Sequence, residues 1–178
     1  MPNGGGGDHP NEREANQDQR IANGLRSGQM TSGEAARAER TQSNIDQQVH
    51  NDRVANGGTL TNQEKQQINH EQNAASRQIY REKHNGATVA PNEVNNREAN
   101  QQQRTANGLR SGQMTSGEAA HTNQNQAGVA QQVHNERVAN GGALTAQQKA
   151  QANKAENKNS RQIYNQKHNT RTVKPAKK

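Results

Sequence analysis

The chain has 178 residues, a formal net charge of +7 and far fewer apolar residues than an ordinary globular protein. Only 25% of its residues are hydrophobic, and its aromatic residues are Tyr80 and Tyr164. Such a chain buries a thin core at most, because ordering each residue costs about 1–2 kcal/mol in backbone entropy. The absence of cysteine excludes disulfides and thiolate metal sites. No stretch approaches the roughly 20 apolar residues of a transmembrane helix.

The first ten residues are rich in glycine and contain neither the basic nor the apolar segment of a secretory signal peptide. We expect residues 1–10 to be a flexible leader. By default this pattern predicts a cytoplasmic protein, with export as the alternative.

A block of 84 residues occurs twice in register. Residues 22–36 return letter for letter as 106–120, and residues 76–80 return as 160–164. An internal repeat indicates two copies of one structural unit, which bury their apolar faces against their neighbours and favour self-association. The predicted divisions after the leader are a first unit, a linker, a second unit and a basic flexible tail: residues 11–85, 86–94, 95–169 and 170–178.

Four turn signals of one kind, two in each unit, divide the chain into helices. Each signal has a glycine suited to a helix end, then a threonine, then Glu or Gln three residues later. The last two form a capping box, which satisfies the first N–H groups of the next helix. The composition favours disorder, but four capping boxes at equivalent positions of the two units favour helices. The capping residues are Gly28, Thr31, Glu34, Gly58, Thr61, Glu64, Gly112, Thr115, Glu118, Gly142, Thr145 and Gln148.

These turns predict an all-α fold of two tandem three-helix, up-down-up units, because short turns make neighbouring helices antiparallel. The predicted helices cover residues 11–27, 32–56, 62–84, 95–111, 116–140 and 146–168. Apolar residues at helical spacing predict the buried faces. In the first unit these are Ala15, Ala22, Leu25, Ala35, Ala38, Ile45, Val49, Ile68, Ala75 and Ile79. The polar Gln42 lies in the same stripe.

Two patterns resemble metal sites. The turns match the second half of an EF-hand loop, but Leu25, Arg53 and Ala55 stand where calcium needs oxygen ligands. A capped helical turn is therefore the better interpretation. His50 and His70 are expected on antiparallel neighbours, and a weak zinc or nickel site there is a hypothesis beside that of lone exposed histidines. We predict no metal and no cofactor.

The sequence contains no pattern typical of an active site. The serines have no nucleophile elbow, and no glycine loop follows a strand. The carboxylates are expected to be mostly solvated, with Glu14, Glu34 and Glu98 serving helix N-termini. We therefore expect a protein that is not an enzyme and has no small-molecule substrate.

The formal charge is unevenly distributed. Residues 1–90 contain about ten Lys/Arg and eleven Asp/Glu, whereas residues 91–178 contain about thirteen and five. This excess predicts salt-dependent contacts with nucleic acid or another polyanion, with a solubilising tail as the alternative. The candidate residues are Lys154, Lys158, Arg161, Lys167, Arg171, Lys174, Lys177 and Lys178.

The two tyrosines each follow an isoleucine in the third helix of a unit. One interpretation makes each tyrosine a platform on which a base stacks. The other makes it a cover for the edge of the core, with Ile79 or Ile163 packed beneath and the hydroxyl in water.

The repeated residues resemble those of a family of small uncharacterised bacterial helical-repeat proteins. The shared elements are Ser27-Gly28-Gln29-Met30-Thr31-x-x-Glu34, Gly58-x-Leu60-Thr61-x-x-Glu64 and Ser76-Arg77-Gln78-Ile79-Tyr80-x-x-Lys83-His84-Asn85. The resemblance covers nearly the whole chain, twice, and implies a helical-repeat fold without an established activity. Many members have an export signal and Ala-Asp-Gly at the second turn, where this chain has Ala55-Asn56-Gly57-Gly58. The composition is also similar to that of hydrophilin-type desiccation-protective proteins.

These observations predict a hydrophilic helical-repeat protein with a structural, protective or protein-interaction role. The alternative is non-specific binding of nucleic acid or another polyanion through the basic C-terminal helix and tail. A membrane partner is not expected.

Overall fold

The helices begin and end at the signals in the sequence. The computed structural model describes residues 9–172, which form α1 (Pro10–Ser27), α2 (Ser32–Ala55), α3 (Asn62–Lys83), α4 (Glu93–Ser111), α5 (Ser116–Ala139) and α6 (Ala146–Lys167). The predicted all-α fold class is confirmed, and each helix end lies within two residues of its prediction. Residues 1–8 of the predicted leader and 173–178 of the predicted tail lie outside the described residues, and with them Lys174, Lys177 and Lys178.

Each turn combines a glycine with a capped helix start. Gly28 and Gly112 have φ angles of 72° and 71°, a left-handed conformation that strains any residue with a Cβ atom. After each turn a threonine hydroxyl accepts a hydrogen bond from the N–H three residues later, and that residue's side chain accepts one from the threonine N–H. The four threonines are Thr31, Thr61, Thr115 and Thr145. Four helices therefore start at definite residues.

The two units interlock along their central helices. α2 lies along α5 and α1 lies along α4, and these are the most extensive helix contacts among the described residues. α3 covers α1 and α2 from outside, and α6 covers α4 and α5 in the same way. Both central pairs are antiparallel. Gly33 at the start of α2 approaches His134 near the end of α5, and Arg26 at the end of α1 contacts Asn100 in the first half of α4. The main packing therefore lies between the units.

Contacts between the units occur in pairs that are 84 residues apart. Arg26 Nη2 at the end of α1 donates to Asn100 Oδ1 on α4 at 3.1 Å. Arg110 Nη2 at the end of α4 donates to Asn16 Oδ1 on α1 at 3.0 Å. Reciprocal contacts of this kind are those of a two-fold symmetric homodimer. The chain thus has the architecture of a dimer within one polypeptide.

The apolar core consists mainly of small side chains, and all ten residues of the predicted apolar faces are buried. The central helices approach each other closely at two glycines. A Cβ atom added to Gly33 would lie 2.7 Å from His134 Nδ1, and one added to Gly117 would lie 2.9 Å from His50 Nδ1. These two contacts set the spacing of α2 and α5. Within residues 9–172 no helix has both the length and the apolar character needed to cross a membrane.

The linker between the units packs against the first turn. Val89 N donates to the Gly28 carbonyl oxygen at 2.9 Å, and a Cβ atom on Gly28 would lie 2.0 Å from the Val89 carbonyl oxygen. Glycine at position 28 is therefore required both by its φ angle and by this close approach of the backbone.

Candidate functional site

Six carboxyl side chains are buried, five where helices of the two units meet and one, Glu156, between α4 and α6. We call them the buried carboxyl layer: Glu14, Asp18, Glu39, Asp46, Glu98 and Glu156, each at most 1% exposed. Burial is the largest cause that raises the pKa of every one of them, because loss of water disfavours the charged form. The pKa reaches about 8 for Glu39 and about 7 for Asp46 and Glu156.

Few hydrogen-bond donors reach this layer. Gln102 Nε2 donates to Glu39 Oε1 at 2.7 Å, and Asn123 Nδ2 donates to Asp46 Oδ2 at 3.2 Å. Neither carboxyl oxygen of Asp18 has a hydrogen-bond partner among the described residues. A buried carboxylate without donors is costly, so the neutral acid is favoured. The layer therefore retains protons near neutral pH.

Two arginines cross between the units beside the layer. Arg53 Nη1 donates to Ser116 Oγ at 2.9 Å, and Arg137 Nη1 donates to Ser32 Oγ at 2.9 Å. Burial nevertheless raises the pKa of Glu98 by more than the Arg137 charge lowers it. The two guanidinium groups join the units and do not offset the burial of the carboxyls.

The prediction that these carboxylates are mostly solvated is wrong. Glu34 does serve a helix N-terminus, since its Oε2 accepts from Thr31 N at 2.8 Å. Glu14 and Glu98 instead lie on the inner faces of α1 and α4, where the opposite unit covers them. Glu14 lies seven residues, about two helical turns, before the buried Ile21, so its helical spacing predicts burial although its charge does not.

A groove with three arginines and one tyrosine lies on the outside of the first unit, between α1 and α3. We call it the first groove; it has a volume of about 530 Å³ and is lined by Arg20, Asn73, Ser76, Arg77, Tyr80 and Arg81. Arg20 Nη1 donates to Ser76 Oγ at 2.5 Å, and its Nη2 donates to the Ser76 carbonyl oxygen at 3.2 Å. Arg77 and Arg81 are exposed. The groove is lined by cations and neutral polar groups, and no carboxylate belongs to it.

A histidine one helical turn later orients the tyrosine of this groove. The rings of Tyr80 and His84 stack with their centroids 4.1 Å apart, and His84 Nδ1 donates to the Tyr80 carbonyl oxygen at 2.7 Å. Ile79 is buried as expected, whereas Tyr80 is 59% exposed. The tyrosine ring is therefore presented to solvent in a supported orientation.

The second unit has the same arrangement between α4 and α6. Arg104 donates to Ser160 as Arg20 does to Ser76. Tyr164 stacks on His168 at 4.0 Å and is 56% exposed. By position in the repeat, the residues equivalent to those of the first groove are Arg104, Asn157, Ser160, Arg161, Tyr164 and Asn165, and we call this arrangement the second groove.

The predicted polyanion-binding residues extend the second groove along α6. Lys154, Lys158 and Arg161 are exposed and are spaced by four and three residues, which places them on one side of the helix. Lys167 is partly exposed, and Arg171 is exposed beyond the end of α6. Of the predicted residues, Arg161 belongs to the second groove, and Lys154 and Lys158 lie on the same side of α6 towards its start.

Sequence reasoning missed the first groove, because it treated the first unit as nearly neutral. Four of the carboxyls in that unit belong to the buried layer and contribute little negative charge to the surface. Arg37, Arg40, Arg77 and Arg81 are exposed, so the surface of the first unit is more basic than its balanced formal charge. Burial therefore removes more acidic than basic side chains from the surface.

The two candidate metal-binding histidines lie in different surroundings. His50 lies against Gly117 in the contact between the units, whereas His70 lines another groove together with Asp52 and Glu64. Within residues 9–172, no group of three or more His, Cys, Asp or Glu side chains is arranged to hold a metal ion. The structure thus gives no support to the hypothesis of a shared site.

Comparison with known proteins identified no relative. No protein-family model, no curated protein and no solved structure matches the chain. The resemblance to bacterial helical-repeat proteins stays a prediction, and the function must be inferred from the two grooves and the buried carboxyl layer.

Proposed function

We propose that the protein is a non-enzymatic module that binds nucleic acid through the phosphate backbone, without reading base sequence. The observation that supports this function is the sorting of charge between the buried carboxyl layer and the outer arginines and lysines. Arrays of such cations bind phosphates by releasing counterions, which makes the affinity strongly dependent on salt.

The first groove supplies the chemistry that phosphate requires. Guanidinium groups present several N–H donors in a planar fork that matches phosphate oxygens. Partial burial lowers the pKa of Lys83, and the nearby charge of Arg20 lowers it further. Cations therefore crowd this edge of α3, and a bound phosphate would relieve their mutual repulsion.

Binding of a fluorescently labelled oligonucleotide, measured by anisotropy over a series of salt concentrations, tests this proposal. We expect binding at low salt and a linear decrease of log K with log salt concentration. Each phosphate contact contributes about 0.7–0.9 to that slope, so Arg77→Gln combined with Arg161→Gln should reduce it by roughly one to two. Absence of binding at low salt would refute the proposal.

A matched variant separates the grooves from a general effect of charge. Arg40 is exposed on α2, and its Nη2 donates to Gln131 Oε1 at 3.1 Å across the contact between the units. Arg40→Gln removes one positive charge outside the grooves and should change the slope less than Arg77→Gln alone. Equal effects would contradict binding in the grooves. Loss of binding on deletion of residues 170–178, with the groove variants unaffected, would assign binding to the tail instead.

A structural or protective role is the second candidate, and the polar exterior favours it. Among the described residues the large exposed hydrophobic side chains are Val54, Tyr80, Val138 and Tyr164. An interlocked fold with so little apolar surface is suited to remain soluble as water is removed. The test is the activity of a drying-sensitive enzyme after dehydration with this chain or with an equal mass of serum albumin. Equal recovery would exclude the protective role.

A further inference from the structure

We infer that the nucleic acid bound in the grooves is single-stranded, with one base stacked on Tyr80 in the first groove and another on Tyr164 in the second. This inference rests on the proposed function. It adds the form of the ligand and the residues that recognise it.

Both aromatic residues of the chain lie in the grooves. The chain has two aromatic residues among 178, and each lies in one of the two grooves with more than half of its surface exposed. Ile79 and Ile163 are at most 1% exposed, while the tyrosine ring beside each keeps more than half of its surface in solvent. The exposed rings are therefore available for a ligand.

A histidine holds each tyrosine ring in place. His84 stacks on one side of the Tyr80 ring at 4.1 Å, and His168 stacks on the Tyr164 ring at 4.0 Å. A ring supported in this way loses little freedom when a further planar group stacks on it. A base would thus extend an existing stack of two rings.

The combination of cations and an aromatic ring selects the form of the nucleic acid. In a duplex the base faces are already stacked on one another, so a duplex can use only the cations. A single strand can place its phosphates on Arg20 and Arg77 while an unpaired base stacks on Tyr80, the arrangement by which many proteins hold single strands without reading sequence. The first groove, about 530 Å³ in volume, is largely open to solvent, so a strand can pass along it.

Intrinsic fluorescence offers a direct test, because the chain has two tyrosines and no tryptophan. The full chain is titrated with a short oligothymidylate, with inorganic polyphosphate and with a short DNA duplex, and emission is corrected for absorption with free N-acetyltyrosinamide. We expect the oligothymidylate to quench tyrosine emission. Polyphosphate should compete for binding without quenching, since it has charge but no bases. The duplex should bind more weakly than the single strand of the same length.

Substitution of each tyrosine tests whether its ring contributes to the binding of oligothymidylate. Tyr80→Leu and Tyr164→Leu should each weaken oligothymidylate binding about fivefold or more and leave duplex binding unchanged. Tyr80→Phe keeps the ring and should bind as the unaltered chain does. Circular dichroism verifies that every variant remains helical.

The outcomes separate this inference from the proposed function. If neither single-stranded nor duplex DNA binds at low salt, the proposed function fails and the inference fails with it. If both forms bind equally and the leucine variants match the unaltered chain, the inference alone is overturned. Quenching by polyphosphate would also overturn the inference, because it would show that bound charge alone, without a stacked base, lowers the tyrosine emission.

Discussion

The replacement Glu39→Gln should stabilise the protein in a way that depends on pH. The Glu39 side chain is fully buried, and its pKa rises from 4.5 in the unfolded chain to about 8 in the fold. Between pH 4.5 and 8 the folded state holds a proton that the unfolded state releases. The free energy of unfolding is therefore highest, as far as this group is concerned, below about pH 4.5, and it decreases as the pH rises towards 8.

The magnitude follows from the two pKa values. From pH 4.5 to 7 this single group costs about 3 kcal/mol of unfolding free energy, at about 1.4 kcal/mol for each pH unit. Glutamine has nearly the same shape, does not titrate and can still accept the hydrogen bond from Gln102 Nε2, now 2.7 Å from Glu39 Oε1. The second unit already has an amide, Asn123, at the equivalent position.

Urea denaturation followed by circular dichroism at pH 5, 6, 7 and 8 measures this effect. The Glu39→Gln chain should exceed the unaltered chain by about 3 kcal/mol at pH 7, with a smaller gain at pH 5 and a larger one at pH 8. Glu12→Gln is the control, because Glu12 is exposed in the first turn of α1. It should cost about 0.3–1 kcal/mol through the helix dipole. A gain for Glu39→Gln that is the same at every pH would refute the assignment of a protonated carboxyl.

Two further predictions concern packing and capping. Gly33→Ala should destabilise the chain by about 1–3 kcal/mol through overpacking, because the added Cβ atom would lie 2.7 Å from His134 Nδ1. Gly128→Ala, whose Cβ atom would meet nothing within 4 Å, should stabilise it by about 0.5–1 kcal/mol. The reverse order in urea denaturation would contradict the α2–α5 contact. Thr61→Ala removes the hydroxyl that caps α3 and should cost about 1 kcal/mol in thermal denaturation, whereas Thr61→Ser should be nearly neutral. Equal losses for both would show that the hydroxyl does not cap.

The helix boundaries were predictable because they depend on residues close together in the chain. Gly28 accepts the left-handed conformation, while Thr31 and Glu34 bond to each other across one turn. Each signal acts within about four residues, so no knowledge of the tertiary fold was needed.

The pairing of the helices was not predictable from the same patterns. The inner face of α2 combines alanines with Glu39, Gln42 and Asp46, and the equivalent face of α5 has the same spacing. Two similar units offer similar stripes, so sequence periodicity does not distinguish packing within a unit from packing between units. The choice depends on close fits such as that of Gly33 against His134, which exist only in the folded protein.

The candidate site was predicted in part. The cations of α6 lie close together in the sequence, so they could be predicted. The first groove is lined by Arg20 of α1 and Arg77 of α3, which are far apart in the chain. Its basic character also depends on the burial of Glu14 and Asp18. Glu14 and Asp18 lie seven and three residues before the buried Ile21, which places both on its face of α1, and this helical spacing carried the missing signal.

The reciprocal contacts between the units determine the order in which the chain can fold during synthesis. The hydrogen bond of Arg26 cannot form until Asn100, 74 residues later, has been synthesised. That of Asn16 cannot form until Arg110, 94 residues later, has been synthesised. At about 5–20 residues per second, the first unit spends several seconds with the inner faces of α1 and α2 uncovered. Two chains made side by side on one message each offer these faces to the other. Exchange of units between neighbouring nascent chains is therefore the characteristic folding error of this architecture.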